Sequence, residues 1–75
     1  MNITDIMIHI KETLDEDARK ALENSMRKID GVVSPRFNAG KEHLLMVVFN
    51  PEKTRAAALL QTTRSAGYTA NLVGM

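Results

Sequence analysis

Two groups of side chains in this sequence have the types and spacing to do chemistry. The first is acidic: Glu12, Asp15, Glu16 and Asp17 fall in one short stretch, and clustered carboxylates can hold a hard cation such as Mg²⁺ or Ca²⁺. The second is softer. Met7, His9, His43 and Met46 combine thioether and imidazole, a donor set suited to a soft metal ion. Cysteine is absent, which removes disulfides, zinc-thiolate sites and thiol nucleophiles together. Ser25, Ser34 and Ser65 have no histidine or aspartate placed to suggest a nucleophilic triad, so the chain is not expected to be an enzyme.

Whether either group converges depends on the elements that carry it. Residues 6–10 alternate Ile6, Ile8 and Ile10 with Met7 and His9, the period of two expected of a strand with one buried face. The pattern then changes. Thr13 followed by Glu16 has the spacing of a capping box, and Asp15 and Asp17 add negative charge at the positive end of the helix dipole. A helix is predicted over about 14–29, with Leu14, Ala18, Leu22, Ser25 and Ile29 on one face and Ala21 and Met26 beside them. Its charged side should carry the i,i+4 pairs Asp15 with Arg19, Glu16 with Lys20 and Glu23 with Arg27, and Asp30-Gly31 should stop it. Successive helix positions point ~100° apart, so Asp15, Glu16 and Asp17 cannot share one ion. Capping and dipole compensation account for all four carboxylates, Glu12 included, more simply.

Residues 32–37 read as a second strand, placed on a sheet edge because Pro35 cannot donate to a ladder. Residues 38–42 are a turn and 43–49 an apolar strand, with Leu45, Val47 and Phe49 on one face and Leu44, Met46 and Val48 on the other. After Asn50-Pro51, Thr54 is the expected N-cap of a second helix over about 55–65, with Ala56, Leu59, Leu60 and Thr63 inward and Gly67 ending it. Residues 68–73 close the sheet, with Ala70 and Leu72 on one face. The order βαββαβ is the ferredoxin-like, split-βαβ arrangement: an α+β fold whose four-stranded antiparallel sheet carries two helices on one face.

The 75 residues fit one domain, 1–75, near the lower size limit for a self-supporting core. A hydrophobic fraction of 44% and a charged fraction of 25% are those of an ordinary globular protein. The formal net charge of +1 creates no field that would draw nucleic acid or an anionic membrane. No apolar stretch approaches the ~20 residues of a membrane helix. Residues 1–5 lack the basic head and apolar run of a signal peptide, so the cytoplasm is the expected address. RNA-recognition modules share the βαββαβ order but stack bases on sheet-face aromatics, and the corresponding surface here carries none. Acylphosphatase-like enzymes cradle phosphate in the first turn, which here is acidic and would repel it.

Three segments, in order along nearly the whole chain, carry a family likeness: Ile29-Asp30-Gly31-Val32, Val47-Val48-Phe49-Asn50-Pro51 and Ala66-Gly67-Tyr68-Thr69-Ala70. With them the chain resembles the heavy-metal-associated domain family, the fold of small copper chaperones and of the N-terminal modules of metal-pumping ATPases. The resemblance implies a metal-binding CxxC pair at the start of the first helix. Counted back from Gly31 without a gap, that pair falls on Asp15 and Ala18, and the family's preceding methionine on Thr13. A carboxylate and a methyl group cannot replace two thiolates for a soft ion, so the implied fold carries over and the implied thiolate site does not. Tyr68 holds the family's tyrosine position and is read as a residue of the core margin, its hydroxyl reaching water or backbone.

With the thiolate pair gone, the remaining unusual feature is apolar. Met7, Leu44, Met46 and Val48 would gather on the open side of the sheet, with His9, Ser34 and Arg36 around them. Apolar patches rimmed by polar residues mark contact surfaces. The expectation is a non-enzymatic module without cofactor that works by protein contact through Met7, His9, Leu44, Met46 and Val48. Its partner would be a second copy, forming a homodimer, or a protein of a metal-handling or transport system. An alternative is a carrier of a copper ion with a relocated site at His9, Met7 and Met46. Strand alternation sets His43 opposite in facing to Met46, so at most three of the four soft donors share a surface. A third reading is a small-molecule sensor with its ligand between paired sheets.

Overall fold

Isoleucine at every second position lets a strand bury one face and leave the other wet, and the first element forms on that pattern. In the computed structural model, which describes residues 2–74, β1 (Thr4–Ile10) buries Ile8 and Ile10 and exposes His9 between them. The following helix, α1 (Glu16–Arg27), is shorter at both ends than its periodicity suggests. Asp15, not Thr13, is the N-cap: its Oδ1 accepts the Ala18 N–H at 2.8 Å. Aspartate caps as well as threonine does, and starting the helix later leaves Leu14 ahead of it and in the core, where it is 3% exposed. The inward stripe is Leu22 and Met26, with Ala18 and Ile29 packed at its margin. Ser25 and Ala21, assigned to or beside that face, are exposed.

Of the three helix ion pairs expected, only Glu16 with Lys20 forms, at 3.1 Å. Arg19 instead donates from Nη1 to the Leu14 carbonyl at 2.6 Å. Glu23 turns to the sheet and accepts the Phe37 N–H at 2.9 Å, while Arg27 donates to Asn24 Oδ1. Backbone donors at a sheet edge and a free carbonyl at a helix start outcompete exposed ion pairs, which are worth little in water.

β2 (Val32–Asn38) and β3 (Lys41–Phe49) are joined by Ala39-Gly40, Asn38 pairing with Lys41. Both strands run further into this hairpin than the expected 38–42 turn allowed. Gly40, with φ +77°, permits the two-residue connection. The strand order β2-β3-β1-β4 puts β2 on an edge, as Pro35 requires, and a register shift between Val32 and Ser34 leaves Val33 as the extra, exposed residue.

α2 (Ala56–Ser65) is capped by the backbone of Arg55 with no side-chain bond. Thr54, the expected cap, is buried instead. Leu59 and Thr63 point inward, and Ala56 and Leu60 lie half-buried beside them. β4 (Ala70–Leu72) is limited to three residues on the far edge of β1, where the predicted strand began at 68. Arg64 donates from Nε to the Ala70 carbonyl and from Nη2 to Asn71 Oδ1, covering that short edge. Ile8, Ile10, Leu45, Val47 and Phe49 from one face of the sheet form a single core with Leu22, Met26 and Leu59 of the helices. Both helices therefore lie on one side, and the other side of the sheet is open.

Candidate functional site

The first loop, where the family resemblance would put sulfur, is closed by its own polar contacts. The Glu12 carboxylate accepts the Thr69 N–H at 2.8 Å through Oε1 and the Thr69 hydroxyl at 2.9 Å through Oε2. Lys11 N–H donates to the Thr69 carbonyl at 2.9 Å. These contacts hold the Glu12 carboxyl below its ordinary value, with the Thr69 N–H the largest cause. Asp15 is committed to capping, and Ala18 packs at the edge of the core. Thr13 is exposed. At Asp15 and Ala18, the positions that the resemblance gives to sulfur, the loop thus offers one engaged carboxylate and a methyl.

The acidic cluster does not converge either. Glu12 faces Thr69, Asp15 faces its own helix and Glu16 pairs with Lys20. Among the described residues no group of three or more histidine, cysteine, aspartate or glutamate side chains could hold a metal ion, and no pocket opens. Two of the serines weighed for catalysis are engaged elsewhere: Ser25 donates to the Ala21 carbonyl and Ser65 accepts from Gln61 Nε2.

The open face of the sheet is where the sequence-derived residues do come together. Met7 on β1 stands directly opposite Met46 on β3, His9 opposite Leu44, and Asp5 opposite Val48. On the other flank of β3, Arg36 pairs with Met46 and Ser34 with Val48. Asn71 of β4 is the partner of His9. Side chains at paired positions share a face, so Met7, Leu44, Met46 and Val48 make one half-buried apolar group rimmed by Asp5, Ser34, Arg36, His9 and Asn71. Val73 extends it: its N–H donates to the Met7 carbonyl at 2.9 Å and its side chain is 44% exposed. The sequence alone placed Val73 in the closing strand without assigning it a face. The signal was its odd-numbered alternation with Asn71, readable only once β4 is registered against β1.

His43 precedes Leu44 in β3, where the register against β2 shifts between Phe37 and Asn38, and it is not remote from His9. At the end of the sheet its ring reaches the β1 backbone, with Nδ1 2.7 Å from the Ile10 carbonyl oxygen. The His9 and His43 ring centroids are 6.0 Å apart and the planes 21° from parallel. Two imidazoles that strand period alone sets on opposite faces therefore lie side by side.

No helix among the described residues is long and apolar enough to cross a membrane. No protein-family model and no curated protein sequence matches the chain. Solved structures do match in shape. Oxidised MerP from Ralstonia metallidurans CH34 has a TM-score of 0.83 at 17% identity, over 96% of this chain and 99% of that one. The N-terminal domain of a potential copper-translocating P-type ATPase from Bacillus subtilis, in its Cu(I)-loaded state, has a TM-score of 0.84 at 21% identity, over 95% and 88%. The copper chaperone of Enterococcus hirae, in its apo form, has a TM-score of 0.79 at 20% identity, over 91% and 98%. Identities this low speak to shape, and the shape is the ferredoxin-like fold of heavy-metal-associated domains that the three sequence segments implied.

Proposed function

We propose that this chain is a non-catalytic module of heavy-metal-associated fold that works by protein contact through the open face of its sheet. The observation that carries the reading is the row Arg36, Met46, Met7 and Val73, which crosses the sheet with Leu44 and Val48 beside it. A contiguous apolar group with a polar rim is the surface chemistry of an interface. The first loop, lacking sulfur and tied to Thr69, gives the chain no comparable feature. Two structural neighbours are a domain of a potential copper-translocating P-type ATPase and a copper chaperone, and by that analogy the partner belongs to a metal-handling or transport system.

The occupant to test first is a second copy. Asp5 and Arg36 set opposite charges on one rim, and a net charge of +1 leaves two copies almost free of long-range repulsion. Sedimentation velocity across micromolar to submillimolar concentration should show a dimer that Met46→Glu dissociates. A wild-type chain that stays monomeric removes the second copy as occupant.

A second reading rests on a different observation: the thioethers of Met7 and Met46 belong to directly opposed residues, with His9 next on the same face. Such a set suits Cu(I) and would make the chain a copper carrier. The carrier reading requires His9→Ala to lower Cu(I) affinity by about tenfold or more, whereas the contact module predicts no change.

A further inference from the structure

His43 has no part in either reading above, and its surroundings are specific. A carbonyl oxygen only accepts, so the His43 Nδ1 that lies 2.7 Å from the Ile10 oxygen carries the proton. In the neutral ring Nε2 then holds the lone pair. A backbone carbonyl on one ring nitrogen is the device that fixes the tautomer and orientation of metal-ligating histidines. His43 is half-buried and anchored by this bond, whereas His9 is exposed. One ring is anchored and its neighbour is open to solvent.

We infer that His9 and His43 form an imidazole pair that binds a borderline divalent cation, with Zn²⁺ the ion it fits best and water filling the remaining positions. At Zn–N distances of ~2.0–2.1 Å, two imidazoles sharing an ion have ring centres about 5–6 Å apart. The observed separation is 6.0 Å, at the upper end of that spacing. Zn²⁺ imposes no geometry of its own and accepts an incomplete protein sphere. No third carboxylate, histidine or cysteine joins the pair among the described residues, so the site is open and exchangeable. It does not depend on the contact reading, and it differs from the copper reading in using His43 and neither methionine.

The test is imidazole ¹⁵N NMR and calorimetry on the full chain at neutral pH, with zinc sulfate as the probe. Before metal, His43 should show the Nδ1–H tautomer. Equimolar Zn²⁺ should shift nitrogens of both rings, and His9→Gln or His43→Gln should each lower affinity by about tenfold or more. Met7→Leu and Met46→Leu should bind Zn²⁺ as wild type does, which separates this site from a Cu(I) set that requires them. If His43→Gln fails to fold, His9→Gln carries the same comparison from an exposed position. Absence of imidazole shifts at tenfold excess Zn²⁺ overturns the proposal. So does undiminished Zn²⁺ binding in His9→Gln.

Discussion

Glu12 joins residues 57 apart in sequence, accepting both the N–H and the hydroxyl of Thr69. Its carboxyl is held below the ordinary value first by the Thr69 N–H and next by its own N–H. Loss of hydration works the other way, and the Thr69 hydroxyl and the Lys11 charge add smaller pulls. A carboxyl whose folded pKa is depressed stabilises the fold above its unfolded pKa, and the contribution is lost as pH falls through the folded value. Glu12→Gln removes that titration while keeping one acceptor. Urea midpoints of wild type and Glu12→Gln should therefore differ at pH 7 and converge as pH drops below the ordinary carboxylate range of about 4. A constant gap across that range would mean that the ionised form is not what Thr69 recognises. In the sequence, Glu12 reads as one of four carboxylates explained by capping and dipole compensation at the helix start. A partner 57 residues away leaves no local signal, so this role was not legible.

At the level of elements, the three segments that carried the resemblance turn out to be corners of the fold. Gly31 has φ +102°, and a Cβ there would stand 2.7 Å from Lys53 Cβ. Its carbonyl accepts the Asn50 N–H at 2.7 Å, and Asn50 in turn accepts from Lys53 and Thr54. The first and second segments are thus one joint, where the chain leaving α1 meets the chain leaving β3. Gly31→Ala should cost more than the roughly 1–2 kcal/mol of a left-handed non-glycine residue, because the new methyl also has to displace Lys53. Thermal melting followed by circular dichroism measures it, and a change within error would show that the joint tolerates a different path.

This explains why element types and the sheet face of each strand could be read from the sequence while helix ends could not. Alternation in 6–10 and 43–49 and the proline at 35 are local signals, and each strand has the face and edge they imply. The start of α1 was decided by what Leu14 could bury, and the start of α2 by Thr54 turning toward Gly31. Those are tertiary gains that no cap motif records. The His9–His43 meeting was hidden for a similar reason, since it depends on a side chain reaching across the backbone at a strand end rather than on strand period.

For the molecule as a whole, the decisive fact is that one sheet face is sealed by two helices and the other has no cover. Leu45 and Met46 are adjacent in β3, yet Leu45 is fully buried and Met46 only half so. Leu45→Ala should cost about 2–5 kcal/mol from lost burial and the cavity left behind. A domain of this size has on the order of 4–11 kcal/mol in all, so that is a large share. Met46→Glu should cost less than about 1 kcal/mol in a dilute monomer, as surface changes do. The two losses also differ in how they respond to concentration. Anything that binds only the folded state adds stability by mass action, so if the open face meets a second copy, the gap between wild type and Met46→Glu in urea midpoint must widen as protein concentration rises. The Leu45→Ala cost comes from inside one chain, and the cavity it leaves is the same at any concentration.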